Sequence, residues 1–105
     1  MYHGIDVPDW SHLPGHASTR SERHPGDTDI PLEWVVEAWQ DENAALIDPD
    51  YNSRSGLSLR LIGWSASAGF LLTVIAVRWE GRLVAASAWK SNAKDQRLYY
   101  EGSTS

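Results

Sequence analysis

The run Phe70-Leu-Leu-Thr-Val-Ile-Ala-Val77 constrains this chain most, because it is apolar on both of its alternating faces. Successive side chains of a strand point to opposite sides of a sheet, so a strand without a polar face is one covered on both sides. The stretch is far too short for a membrane helix, which needs ~20 apolar residues. It predicts a central strand. Ahead of it, Leu57-Ser-Leu-Arg-Leu-Ile62 alternates, with Leu57, Leu59 and Leu61 on one face and Ser58, Arg60 and Ile62 on the other. Ser65 to Gly69 predicts the intervening turn, Glu80-Gly81 a tight hairpin, and Leu83 to Ala88 the next strand. A short strand is expected over Ala44 to Ile47, followed by a loop of turn formers from Asp48 to Gly56. Sequential strands with short connections favour an antiparallel meander.

Helices flank this meander. In Pro31-Leu-Glu-Trp-Val-Val-Glu-Ala-Trp-Gln40, Leu32, Val35, Val36 and Trp39 recur at helical spacing, proline suits the start, and Asp29 and Glu33 favour the positive end of the dipole. A polar helix is expected over His16 to His24, ended by Pro25-Gly26-Asp27. At the other end, Asn92 offers an N-cap with Asp95 three residues on, predicting a helix over Ala93 to Tyr100 ended by Gly102. The fold class is therefore α+β: two N-terminal helices packed on a four-stranded antiparallel sheet, then a short C-terminal helix. Residues 1–15 read as an irregular arm that Trp10 and Leu13 pin to the body, with a short edge strand near Tyr2 to Val7. Residues 16–105 read as a single domain.

With 105 residues and 42% apolar content, the chain suits one domain with a modest core. It has no cysteine, which removes a disulfide framework and a thiolate zinc site and fits a reducing compartment. Met1 to Pro14 has no basic stretch followed by an apolar run, so no signal peptide is expected and the cytoplasm is the expected location. The four histidines, His3, His12, His16 and His24, fall at spacings of nine, four and eight, which match no standard ligand pattern. Neither a metal nor another cofactor is expected.

The net charge of −5 opposes a polyanionic partner, but its distribution is uneven. Residues 1–50 hold eleven acidic and two basic residues, and residues 51–105 hold seven basic and three acidic ones. Such asymmetry marks either a polyanion-facing half or chance clustering on a solvated surface.

Candidate chemistry lies in the basic residues. On the first helix His16, Arg20, Arg23 and His24 share a face, either as a polar site or as a solvated surface. Histidine suits acid–base work and arginine binds phosphate oxygens bidentately. Arg60, opposite the leucine face of its strand, belongs either to an exposed sheet face or to a site. Lys90 and Lys94 follow the last strand, and Lys94 opposes the helix dipole, which favours a substrate role. Arg97 is open between packing and binding, and Tyr99 reads as packing. Trp34 and Trp39 read as core. Trp64, Trp79 and Trp89, at strand ends, are open to partner binding, base stacking or rim packing.

Three segments carry a resemblance: Arg60-Leu-Ile-Gly-Trp64 through Leu71 to Val77, then Ala86-Ser-Ala-Trp-Lys90, then Asp95-Gln-Arg-Leu-Tyr-Tyr-Glu-Gly102. Together they resemble the BrnT-like branch of the RelE-type toxin superfamily. His16-Ala-Ser-Thr-Arg20 is similar to a His-Ala-x-x-Arg helix of related families, and Ile30-Pro-Leu-Glu-Trp-Val-Val-Glu-Ala38 continues that pattern. The match covers roughly residues 16–102, with short, apolar-rich motifs. It implies a RelE-like fold and a toxin of a type II toxin–antitoxin system. Such a toxin is a metal-free endoribonuclease that cleaves mRNA, free or on the ribosome. A small DNA-binding antitoxin would neutralise it in a hetero-oligomer. By position His16, Arg20 and Lys90 match the family's motifs and are expected to be catalytic. Arg97 and Tyr99 match its terminal helix and Arg60 is a looser match. Arg60 and Arg97, together with Lys94 from the dipole argument, are expected to bind RNA, with Trp89 available to stack on a base. Trp89 stands where the family usually has arginine, and Pro25 to Asp29 lengthens the link between the first two helices. The alternatives are a catalytically inactive RelE-like interaction or regulatory module, and a scaffold part of a larger assembly.

Overall fold

In the computed structural model of the protein, residues 8–11 and 30–103 are described. Pro31, with φ −63° and ψ 148°, stands at the N-cap of helix α1 (Leu32–Trp39), and the apolar spacing turns Val35, Ala38 and Trp39 inward. The sheet follows as β1 (Ala45–Ile47), β2 (Ser58–Ser65), β3 (Phe70–Trp79) and β4 (Arg82–Lys90), and the chain ends in α2 (Ala93–Ser103). The strands lie in sequence order and every pair is antiparallel. The architecture is α+β with a four-stranded antiparallel sheet and two described helices. One helix precedes the sheet and one follows it. The expected helix over His16 to His24 and the edge strand near Tyr2 to Val7 lie outside the described residues.

The register sorts the side chains into two layers. Leu59 pairs with Ala76, Leu61 with Val74, and Val74 with Ala88, so these residues share the face that α1 covers. Arg60 pairs with Ile75, Ile62 with Thr73, and Thr73 with Trp89, on the face where α2 packs against β1 and β2. The larger core is on the α1 side. The smaller one, Ile62, Leu71 and Tyr99 with Ala45, Ile47 and Leu98 against them, is on the α2 side. Covering both faces of β3 accounts for its unbroken apolar run.

Two local features set the spacing of these layers. A Cβ on Gly63 would lie 2.0 Å from the Ala38 carbonyl oxygen, so α1 reaches β2 only across a glycine. Glu80 and Gly81 both have positive φ, 50° and 76°, as the two-residue hairpin between β3 and β4 requires. On the outer side of β4, Asp9 bridges Val84 in parallel sense and Trp10 meets Trp39 edge to face at 5.8 Å, so Trp10 does pin its segment to the body.

Two expectations need correction. Leu57 does not join Leu59 and Leu61 in the core. It is 50% exposed, because pairing of β2 begins only at Ser58 and the left-handed Gly56 (φ 76°) leaves Leu57 in the loop. The last helix does not end at Tyr100 but runs through Gly102 to Ser103.

Candidate functional site

Arg60 projects from the middle of β2 into the α2 side of the sheet, where it is 4% exposed. A buried guanidinium needs compensating charge and filled hydrogen bonds. Its Nε donates to Asp50 Oδ1 at 2.7 Å and its Nη1 to Asp95 Oδ2 at 2.7 Å, and Nη1 also donates to the Tyr51 hydroxyl. The Tyr51 hydroxyl in turn donates to Asp95 Oδ1 at 2.8 Å. Thr73 on β3 donates to Asp95 Oδ2 at 2.7 Å, and Ser91 is 2.8 Å from the Thr73 oxygen. Thr73 has one hydroxyl proton, which it donates to Asp95, so Ser91 is the donor in the last bond. Two carboxylates and the Tyr51 hydroxyl thus close around one guanidinium, and Thr73 and Ser91 extend the network through Asp95, tying the β1–β2 loop, β2, β3 and the start of α2 together.

Local sequence places each member. Asn92 caps α2, accepting the Asp95 amide at 2.9 Å. The capping pair is therefore half-formed. Asp95 does not reach back to the Asn92 amide and instead turns its fully buried carboxylate to Arg60. Tyr51 lies with its ring centre 4.2 Å from the Arg60 guanidinium and 3.9 Å from the Lys94 ammonium. Lys94, disfavoured by the helix dipole, thus has a structural contact of its own. Burial first, then the bond to Asp95, push the Tyr51 phenol up, while the nearby Arg60 charge opposes them.

A second set of bonds fixes the far end of the sheet. Glu37 on α1 accepts the Ser65 hydroxyl at 2.7 Å, the Ser67 amide at 3.0 Å and the Ser67 hydroxyl at 2.6 Å, so it holds the β2–β3 turn. The Ser67 hydroxyl, then Ser65, then the Ser67 amide hold the Glu37 carboxyl below its ordinary range. Asp41, just past α1, accepts the Trp64 amide at 2.8 Å and the Tyr99 hydroxyl at 2.7 Å. Burial, then that bond to Asp41, push the Tyr99 phenol up.

These two anchored regions border a groove of about 290 Å³ between the β2–β3 turn, the end of β4 and α2. Trp64, Phe70, Leu71, Lys90, Gln96 and Tyr100 line it, with Gly69 at its rim. Trp64 is 42% and Tyr100 56% exposed. The Lys90 ammonium stands 4.9 Å from the Phe70 ring centre, and the Gln96 amide donates to the Ser91 carbonyl at 3.0 Å. Asp95 and Tyr99 fasten the helix that carries Gln96 and Tyr100, so the buried network positions one wall of the groove.

The site residues expected from sequence scatter over this frame. His16 and Arg20 lie outside the described residues. Arg60, expected to contact RNA, is buried and held by Asp50 and Asp95. Trp89 is half-buried beside it, its ring centre 5.6 Å from the guanidinium. Lys94 and Arg97 are exposed on α2, and Lys90 is exposed at the end of β4. Trp89 pairs with Thr73 and Lys90 with Leu72, so these adjacent residues point to opposite faces of the sheet. Arg60 and Lys94 therefore meet at Tyr51 with Trp89 beside Arg60, while Lys90 belongs to the groove. Sequence reasoning missed Asp50, Tyr51, Thr73 and Ser91 altogether. A charged Arg60 opposite the leucines was the one signal that buried counter-charges were needed.

Among the described residues no group of three or more His, Asp or Glu side chains is placed to hold a metal, and no helix is long and apolar enough to cross a membrane. Compared with protein families, curated proteins and solved structures, the chain matches none.

Proposed function

We propose that this domain is a catalytically silent binding module, RelE-like in build, that acts by holding a partner in the groove between the β2–β3 turn and α2. The observation that carries this reading is the groove itself, where two exposed aromatic side chains, Trp64 and Tyr100, line one cavity with the Lys90 ammonium. Exposed aromatic side chains with a nearby charge are the usual anchors of recognition surfaces. Outside the groove, the side chains best able to do acid–base or phosphate chemistry, Arg60, Asp95 and Tyr51, already satisfy one another.

The metal-free endoribonuclease toxin with a cognate antitoxin is the second reading. Lys90 favours it, since its ammonium beside Phe70 and Trp64 combines a phosphate contact with a surface on which a base can stack. Induced expression of the wild-type chain beside the Arg20→Ala/Lys90→Ala double variant, with total RNA examined from both, separates the two. Equal growth and intact RNA at equal protein levels are expected for a binding module. Growth arrest with mRNA loss in the wild type alone would establish the nuclease.

A further inference from the structure

The chemistry of the groove narrows what it can hold. Its apolar wall includes aromatic rings from three elements, Trp64 at the end of β2, Phe70 at the start of β3 and Tyr100 on α2. Rings in such a setting favour another ring, packed edge to face or offset. Within the molecule the same preference appears nearby, where Trp34 meets Phe70 and Tyr99 meets Tyr100 edge to face at 5.8 and 5.2 Å. At about 290 Å³ the space falls at the small end of ligand pockets and suits one or two side chains.

Among the described residues Lys90 is the one charged side chain lining the groove, so it matches one negative charge. Its ammonium keeps donors for a carboxylate while resting against Phe70. A polyanion would need several cations and would approach a chain whose net charge is −5. Gln96 adds direction. One of its amide protons is engaged by the Ser91 carbonyl, which fixes the side chain and leaves its oxygen to accept a backbone N–H.

Building on the binding-module reading above, we infer that the groove docks an aromatic–acidic segment of a partner protein. An aromatic side chain packs between Trp64 and Tyr100, and the neighbouring carboxylate pairs with Lys90. The docked backbone amide is received by Gln96.

Titrating the full chain with N-acetyl-Trp-Glu-amide, followed by amide and indole NMR shifts, tests this directly. Shift changes are expected at Trp64, Leu71, Lys90, Gln96 and Tyr100, with weak affinity near about 1 mM as befits two residues. N-acetyl-Trp-Gln-amide is expected to bind about fivefold more weakly, the size of one exposed charge pair. Lys90→Gln should abolish that preference and Lys90→Arg restore it, while Trp64→Ala should weaken both peptides alike. Equal binding of the two peptides, no shift at the groove up to about 10 mM, or tighter binding of adenosine monophosphate would each overturn the inference. Failure here with healthy growth and intact RNA would remove only the aromatic–acidic ligand. Growth arrest with RNA cleavage would remove the binding-module reading, whatever the peptides do.

Discussion

Arg60 Nη1 and Asp95 Oδ2 stand 2.7 Å apart across 35 positions of sequence, and both side chains are buried. This bond joins the start of the last helix to the middle of the second strand, so the position of α2 depends on a charge pair as well as on apolar packing. Arg60→Ala would strand the carboxylates of Asp50 and Asp95 in the interior, a change that costs about 3–5 kcal/mol. Asp95→Asn keeps the shape and loses less. In a double-mutant cycle read by urea unfolding, Arg60→Ala and Asp95→Ala are expected to be strongly non-additive. Additive losses would mean that the pair contributes little beyond two separate packing terms.

Gly63 and Gly69 make opposite tests of why a glycine is needed. At Gly63 a Cβ meets the Ala38 carbonyl oxygen at 2.0 Å, and a backbone atom cannot swing aside. Gly63→Ala should therefore separate α1 from β2 and cost at least about 1–3 kcal/mol, as overpacking does. At Gly69 the space is open but φ is +77°, so Gly69→Ala should cost only the left-handed strain of about 1–2 kcal/mol. Thermal unfolding of both variants checks the order. A Gly69 variant less stable than the Gly63 one would show that the helix–sheet approach tolerates movement.

How far the sequence foretold all this depends on the range of the interactions. The Phe70–Val77 run and the alternation of β2 report on local burial, so strand order, antiparallel pairing and the covered faces were legible. Asn92 was legible as a cap because capping spans three residues. The role of Asp95 was not, because its partners Arg60 and Tyr51 are 35 and 44 positions away. Asp50 and Tyr51 read as ordinary turn formers for the same reason. Lys90 and Lys94 read as neighbouring candidates after the last strand, yet Lys90 ends β4 at the groove while Lys94 turns to Tyr51, and the period-two geometry of the strand sends Trp89 to the face opposite Lys90. The groove joins the β2–β3 turn to α2 across a distance in sequence that no local pattern encodes.

The β2–β3 turn should respond to acid through Glu37. Its carboxyl is held low by Ser67 and Ser65, so the stability it contributes is present above the unfolded glutamate value of about 4.3 and is lost as pH falls through the lowered folded value. Amide hydrogen exchange at Ser67 and Ala68 is expected to accelerate, relative to its intrinsic rate, as pH drops below about 4. Glu37→Gln should show fast exchange at those two amides already at neutral pH, with no further acid step. Protected amides in that variant would mean that the turn holds itself without the helix.

At the alkaline end the two phenols that fasten α2 set the expectation. Tyr99 and Tyr51 are both pushed up, in each case by burial first and then by donation to a carboxylate, Asp41 for one and Asp95 for the other. A raised folded value means that their stabilisation is fully present below the unfolded phenol value of about 10 and is lost as pH rises from there through the folded value. Tyr99→Phe removes the bond to Asp41, costing about 1 kcal/mol at neutral pH. It also removes a group whose ionisation weakens the fold. The urea midpoint of the wild type should therefore fall more steeply than that of Tyr99→Phe between pH about 9 and about 12, and the two curves should converge. Every other titrating group is common to both proteins and cancels in the comparison. Parallel curves would show that α2 is held by its apolar contacts with Ile62 and Leu71, with Asp41 incidental to its attachment.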